Sequence, residues 1–157
     1  SEATAQAIRL ARAVTKRPLL IKFQGCFHGS HDAVARNVIS SPQRAYGRDP
    51  LSAGILESAL EATLIAEFND LASVAELFDS NPEQIAAVIL EPIPHNVGAL
   101  LPTQEFIDGL GALTREHGAI LIFDEVITGF RHAIGGYQQG RGVIPALTTF
   151  GKARADT

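Results

Sequence analysis

Asp124 and Lys152 are an acid and an amine that could act together on one ligand. Asp124 directly follows the apolar run 119–123, which is long enough for one buried strand. Lys152 follows Gly151 after a second, shorter β-prone piece at 147–150. In open parallel α/β sheets, ligands bind outside the carboxyl ends of the strands. An acid and an amine at that edge suit a ligand that needs both an anion and an amine.

Two further side chains, Phe27 and Asn96, also lie near the ends of predicted strands. Pyridoxal phosphate would use each of these residue types. A carboxylate such as that of Asp124 keeps the pyridine nitrogen protonated, and a lysine such as Lys152 forms a Schiff base and moves protons. An aromatic ring stacks on the cofactor face, and an amide hydrogen-bonds its phenolic oxygen. The phosphate favours a helix N-terminus, which the predicted helix beginning at Ser1 offers.

The predicted elements alternate between helices and short apolar strands. Asp70 and Thr103 are of residue types that cap helices, and each precedes a predicted helix. Residues 30–63 show no dominant period and are the least legible part of the chain. The repeated order of strand, helix and strand predicts a three-layer α/β fold with a mainly parallel sheet. We expect helices over 1–15, 71–79 and 103–117, and strands over 19–23, 62–68, 85–90, 119–123 and 147–150.

Composition and charge narrow the classes of partner and compartment. The chain has 157 residues and a formal net charge of −4, which argues against nucleic acid or an anionic membrane as the main partner. No apolar run approaches the roughly 20 residues that a membrane-spanning helix needs. A single cysteine, Cys26, excludes an internal disulfide framework and suits a cytoplasmic location. No methionine occurs, which favours an internal segment of a longer protein.

Six segments of the sequence together resemble one enzyme family. They are SEATAQAIRLAR, KFQGCFHGSHD, EPIPHNVG, LIFDEVITGFR, GGYQ and LTTFGK. Their order and spacing resemble the class III pyridoxal-phosphate-dependent aminotransferases, and most closely the branch of glutamate-1-semialdehyde 2,1-aminomutases. The likeness covers nearly all of the chain and is weakest over residues 44–63. It implies that residues 1–157 are part of the cofactor-binding large domain of a fold-type I enzyme, with the flanking parts of that fold absent.

The resemblance implies a role for each matching site residue. Lys152 corresponds to the Schiff-base lysine, and Asp124 to the carboxylate that pairs with the pyridine nitrogen. Val126 corresponds to the residue that packs against the ring face. Phe27 occupies the stacking position, where the aminomutases usually have tyrosine. Asn96 corresponds to the amide near the phenolic oxygen of the cofactor.

The resemblance also implies contacts around the phosphate, a partner and a reaction. Ser1 corresponds to a phosphate-contacting hydroxyl, and His28 to a neighbour of the cofactor. The family pattern implies a homodimer at full length that acts on a small amino or keto substrate. The favoured reaction is the intramolecular amino transfer that gives 5-aminolevulinate for tetrapyrrole biosynthesis. The alternatives are a transaminase that moves an amine from an amino-acid or ω-amino donor to a 2-oxo acid, and an inactive truncated fragment.

From the sequence alone, several polar residues have both a functional and a structural interpretation. His28, His31 and Asp32 resemble part of a metal site, but no further ligand at a recognisable spacing completes it, so no metal is predicted. Glu91 and Glu125 follow predicted strands, and they are either general acid–base partners or structural carboxylates.

Arg131 and Cys26 also have an ordinary structural interpretation. Arg131 could bind a substrate carboxylate, although a structural salt bridge is the more common role of such a residue. Cys26 has no activating partner visible in the sequence and is expected to be buried and inert. A nucleotide-binding module is disfavoured, because no G-x-G-x-x-G follows the first strand and Gly151-Lys152 is not part of a P-loop.

Overall fold

The computed structural model describes residues 1–38 and 52–152. Within these residues the strands form one sheet of five parallel strands in the order β2-β1-β3-β4-β5. The strands are β1 Leu19–Phe23, β2 Thr63–Ala66, β3 Ile85–Leu90, β4 Ile120–Asp124 and β5 Leu147–Thr149. The helices are α1 Glu2–Thr15, α2 Glu57–Glu61, α3 Leu71–Ser80 and α4 Gln104–Glu116.

The sheet lies between two helical layers, as predicted. Every residue of β3 is buried, which is expected for a central parallel strand that is covered on both faces. The apolar sides of α3 and α4 pack with one face of the sheet, and residues of α1 pack with the other face. The three-layer arrangement therefore follows from two separate apolar cores.

Side-chain caps fix where two of the helices begin. The Asp70 carboxylate accepts a hydrogen bond from the Ser73 backbone N–H at 3.1 Å, and the Thr103 hydroxyl accepts one from the Phe106 N–H at 3.1 Å. Both predicted caps are confirmed. Ser1 precedes α1, but its hydroxyl makes no capping bond within that helix. It is therefore free to contact another part of the chain.

The differences from the predicted elements are small, apart from one missed helix. β2 is shorter than the predicted strand 62–68, and β4 extends one residue further than predicted, so Asp124 is its last residue. The helix α2 lies inside the stretch 30–63, for which no helix was predicted, because five residues are too few to show an amphipathic period. Within that stretch, residues 39–51 lie outside the described residues. No described helix is long and apolar enough to cross a membrane.

Candidate functional site

A cavity of about 150 Å³ lies where the chain leaves the carboxyl ends of several strands. Asp124 reaches it from the end of β4, Lys152 from beyond β5, and Glu91 from beyond β3. Asp124 and Lys152 therefore meet at one site, although 27 residues separate them in the sequence. The cavity is lined by Ser1, Thr4, Phe27, His28, Gly29, Glu91, Asp124, Val126, Ile127 and Lys152.

The Asp124 carboxylate is held on both oxygens by neighbouring donors. Oδ2 lies 2.8 Å from Nδ1 of His28, and Oδ1 accepts a hydrogen bond from the Thr149 hydroxyl at 2.8 Å. The Val126 backbone N–H also donates to Oδ1, at 3.3 Å. Asp124 is only 4% exposed, so these contacts take the place of water around a charged group.

These contacts determine the ionisation of Asp124. Burial opposes the charged form and would raise the pKa, but the hydrogen bond and charge of His28 act in the opposite direction. The hydrogen bonds from Thr149 and Val126 add to that effect, and together they hold the pKa of Asp124 below its ordinary value. The cavity therefore has a fixed negative charge at the end of β4.

His28 has one nitrogen committed to Asp124 and one nitrogen without a partner. Its side chain is fully buried, and Nε2 has no hydrogen-bond partner among the described residues. Because Nδ1 faces the carboxylate, Nδ1 carries the proton. His28 therefore supports the ionised form of Asp124.

Glu91 is a second buried carboxyl group in the cavity, and its environment differs from that of Asp124. Its Oε1 accepts a hydrogen bond from the Phe27 backbone N–H at 2.5 Å. Burial raises the pKa of Glu91, and the nearby charge of Asp124 adds to the rise, although His28 and the Phe27 bond partly offset it. Glu91 therefore holds its proton more firmly than an exposed glutamate, and it fixes the backbone from which the Phe27 ring enters the cavity.

Lys152 and Val126 lie close together at one side of the cavity. Lys152 is exposed and has a backbone φ of 40°. A Cβ added to the preceding Gly151 would lie 3.3 Å from a methyl group of Val126, so glycine allows the chain to pass close to that side chain. The exposed Lys152 therefore lines the cavity, and the Gly151 backbone before it packs against Val126.

The N-terminus of α1 closes another side of the cavity. The Ser1 hydroxyl accepts a hydrogen bond from the Ser30 backbone N–H at 3.1 Å, and the Thr4 hydroxyl donates to the His28 carbonyl at 2.6 Å. Gly29 has a φ of 109°, and a Cβ there would lie 2.6 Å from Cα of Ser1. Backbone N–H groups at a helix start favour anions, so this side of the cavity suits a phosphate group.

Sequence comparison assigns the chain to a family. The family model described as aminotransferase class-III matches residues 1–156. This chain belongs to the class III aminotransferases. Among curated proteins, the glutamate-1-semialdehyde 2,1-aminomutase of Thermosipho africanus is 49% identical over 152 residues, which cover 97% of this chain and 36% of that protein. The class III chain thus spans about a third of the length of the curated relatives it matches.

Two solved structures place the fold among the transaminases. An omega-transaminase from Sphaerobacter thermophilus matches with a TM-score of 0.88 and 36% identity, over 96% of this chain and 35% of that chain. A glutamate-1-semialdehyde aminomutase from Pseudomonas aeruginosa PAO1, in complex with PMP, matches with a TM-score of 0.77 and 29% identity, over 94% of this chain and 32% of that chain. The predicted fold class, the parallel α/β architecture of fold-type I enzymes, is confirmed.

One predicted site residue of this class III chain does not reach the cavity. Asn96 lies exposed on the turn that His95 and Gly98 close, where the Gly98 N–H donates to the His95 carbonyl at 3.2 Å. It is not among the residues that line the cavity, and the chain becomes exposed at His95 and Asn96 after the buried residues 91–94. A contact between Asn96 and a cofactor therefore stays a prediction.

The structure also shows the surroundings of the other residues that had both a functional and a structural interpretation. Arg131 is exposed, and its Nε donates to the Ile127 carbonyl at 2.6 Å, so no ion pair of this side chain is seen among the described residues. Cys26 is fully buried, and burial raises the pKa of its thiol well above the usual range, as expected for an inert cysteine. His31 lies near Thr4, with 3.3 Å between Nε2 and the hydroxyl. Within 1–38 and 52–152, no group of three or more His, Cys, Asp or Glu side chains is arranged to hold a metal ion.

Thr149 and Thr4 are site residues that the sequence analysis missed. Thr149 binds Asp124 across the β4–β5 pair, in which the two residues are register partners. The only sequence hint was the position of Thr149 in the segment LTTFGK, three residues before Lys152. Thr4 lies one helical turn after Ser1, which could have indicated that its side chain faces the same way.

Proposed function

We propose that the protein containing this chain transfers an amino group with pyridoxal phosphate as its cofactor. The observation that carries the proposal is the meeting of a buried, ionised carboxylate and an accessible lysine amine in one cavity at the carboxyl ends of parallel strands. The chemistry of these donors fits the cofactor, since Asp124 is kept charged by His28 and Thr149 before any ligand binds. The complex of a related aminomutase with PMP supports the same choice.

The residues of this chain would divide the work of holding the cofactor. When bound, pyridoxal phosphate supplies an electron sink for a carbanion formed on the substrate. Asp124 would keep a proton on the pyridine nitrogen, and His28 would keep Asp124 ionised. Phe27 and Val126 would contact the two faces of the ring. Ser1 and the N-terminus of α1 would bind the phosphate.

Lys152 would bind the cofactor through its amine and, once that amine is released, would accept and return the protons that move during amino transfer. A lysine suits this role because its amine can both attach to a carbonyl carbon and act as a base once it is released. Asn96, on the turn at 95–98, would contact the phenolic oxygen.

We favour glutamate-1-semialdehyde as the substrate, with the amino group moving between adjacent carbons to give 5-aminolevulinate for tetrapyrrole biosynthesis. The 49% identity to an aminomutase supports this choice. A transaminase that uses two separate substrates is the second candidate, supported by the higher TM-score of the omega-transaminase structure. A single substrate converted without an amino acceptor would favour the mutase, and ping-pong kinetics with two substrates would favour the transaminase.

The wider setting belongs to the same proposal. We propose that residues 1–157 are part of the cofactor-binding large domain, and that the full-length protein is a cytoplasmic homodimer acting on a small amino or keto compound. A chain that spans about a third of its relatives could also be inactive by itself. Experiments on activity therefore require the full-length protein.

Borohydride trapping tests the assignment of Lys152. Full-length protein is incubated with pyridoxal phosphate and reduced, and the peptides are mapped by mass spectrometry. We expect the pyridoxyl label on Lys152, with no label at this position and no cofactor absorption in Lys152→Ala. Lys16→Ala is the matched control, because Lys16 is also exposed and also has a positive φ, of 62°. A folded protein labelled only on other lysines, or not labelled, would show that the proposed function is wrong.

A further inference from the structure

Glu125 is a fully buried carboxylate that the proposed chemistry does not use. It follows Asp124 directly and is 0% exposed. Its side chain does not line the cavity; instead it turns into the connection between β4 and β5. A buried carboxylate is costly unless several donors satisfy it, so its hydrogen-bond partners indicate what it does.

Three donors from the β4–β5 connection converge on the Glu125 carboxylate. The Tyr137 backbone N–H donates to Oε2 at 2.6 Å, and the Gln138 N–H donates to Oε1 at 3.3 Å. The Thr128 hydroxyl donates to Oε2 at 3.1 Å. Gly136 has a φ of 79°, and a Cβ there would lie 2.5 Å from Oε2. The loop around Gly136 is therefore wrapped closely around this one carboxylate.

The backbone of Glu125 ties the same connection to β5. The Glu125 N–H donates to the Thr149 carbonyl at 2.9 Å, and its carbonyl accepts from the Gly129 N–H at 2.8 Å. The loop reaches β5 a second time, because the Thr148 hydroxyl donates to Oε1 of Gln138 at 3.4 Å. One residue thus links the start of the connection, its middle and the strand to which it leads.

The long connection is otherwise held only at separate points. Residues 125–146 contain turns and bends but no helix or strand. Tyr137 and Val143 are buried, and the Phe130 ring packs against Phe150, but residues 138–142 are exposed or half-buried, so apolar packing contributes little to the placement of that stretch. The segment nevertheless has to deliver β5 in register with β4, and Lys152 follows β5 by three residues.

We propose that Glu125 is a positioning residue for Lys152: its carboxylate fixes the β4–β5 connection and thereby places β5 and the lysine opposite Asp124. The inference rests on the proposed function only for the role of Lys152. The carboxylate accepts from three donors at once. A glutamine has one acceptor oxygen, and its NH₂ group would face an N–H donor.

Hydrogen exchange in the full-length protein without cofactor separates this proposal from a purely local role. In Glu125→Gln we expect exchange about tenfold faster in both 136–138 and 147–149, as for loss of one charge-assisted hydrogen bond. Asp70→Asn, which makes the same carboxylate-to-amide change at the α3 cap, outside the cavity lining, is the matched control and should leave both segments unchanged. Faster exchange over 136–138 alone would overturn the proposal.

The rate of borohydride trapping in the holoenzyme is a second measurement, and a merely local loss of stability would not change it. In Glu125→Gln we expect borohydride trapping at Lys152 to be about tenfold slower, because a small misplacement of a reacting group has large kinetic effects. The pH midpoint of the cofactor absorption should move as well. Gly136→Ala, which displaces the loop without changing the carboxylate, should give the same changes if Glu125→Gln does not fold. Trapping rates and midpoints equal to those of the wild type in folded variants would refute the proposal.

The two proposals fail in different ways. If wild-type protein carries no label on Lys152, the proposed function is wrong, and the exchange results still decide whether Glu125 positions β5. If the wild type is labelled but both variants match it, the proposed function stands and the positioning role of Glu125 is rejected.

Discussion

Replacing Thr149 by valine removes one hydrogen bond from the Asp124 carboxylate and changes little else. The Thr149 hydroxyl donates to Oδ1 at 2.8 Å, and both residues are 5% exposed or less. Valine keeps the branched shape that suits a strand. The variant therefore tests whether the contacts around Asp124 hold its charge.

The size of the effect follows from the charge and the burial. A hydrogen bond to a charged group contributes about 1.5–3 kcal/mol. We therefore expect Thr149→Val to lower the free energy of unfolding by about 1.5–3 kcal/mol near neutral pH.

The pH dependence has a definite sign. The pKa of Asp124 is lowered in the folded protein, so the stability that this shift contributes is present above the unfolded pKa and is lost as the pH falls through the folded pKa. Without the Thr149 hydroxyl, the pKa of Asp124 rises toward its ordinary value. We therefore expect the destabilisation to be largest near neutral pH and to shrink in acid.

Urea denaturation at a series of pH values measures both effects. Thr148→Val is the matched control, because Thr148 is half-buried on the same strand and makes only a 3.4 Å contact with Gln138. We expect the control to lose less stability, with no dependence on the ionisation of Asp124. Equal losses in the two variants, or a loss in Thr149→Val that does not change between pH 7 and acid, would refute the reasoning.

Three further changes test other parts of the structure. Burial raises the pKa of Glu91, and the stability from this shift is present below the unfolded pKa and lost as the pH rises through the folded pKa. Glu91→Gln removes this loss. In urea titrations, the free energy of unfolding of the variant should therefore rise relative to that of the wild type from acid to neutral pH. Curves of unfolding free energy against pH that run parallel for the two proteins would contradict this. Phe106→Ala empties part of the core beside α4 and should cost about 3–5 kcal/mol, against less than about 1 for Val14→Ala on the exposed face of α1; similar losses would argue against that core. Gly29→Ala places a side chain at φ 109° against Ser1 and should weaken pyridoxal phosphate binding about tenfold by absorption titration, a change that an unaltered affinity would rule out.

The buried strands and capped helices could be predicted from the sequence, because the apolar runs and capping residues that specify them lie within or next to each element. β3 was predicted with its observed bounds, since six consecutive apolar residues fit one buried strand. The path of residues 33–37 could not be predicted, because contacts with residues distant in the sequence hold it. The Thr63 hydroxyl donates to the Ala33 carbonyl at 2.8 Å, and the buried Lys22 amine donates to the Arg36 carbonyl at 2.5 Å.

The site was predictable where a residue type and a strand end coincide. Asp124 and Lys152 met both conditions, and the family resemblance added Phe27 and Val126. The Thr149 contact depends on the register of β4 and β5, which no local pattern specifies. The bond between Glu91 and the Phe27 backbone joins two loops that are 64 residues apart, so only the folded chain shows it.

The burial of Cys26 makes its thiol a natural reporter of transient opening. The side chain is 0% exposed and lies one residue before Phe27, at the edge of the cavity. Because burial also disfavours the thiolate, a thiol reagent can react only after this part of the chain separates from the sheet. The rate of Cys26 modification, followed with and without a bound ligand, would measure how much that ligand slows local opening of the structure around Cys26.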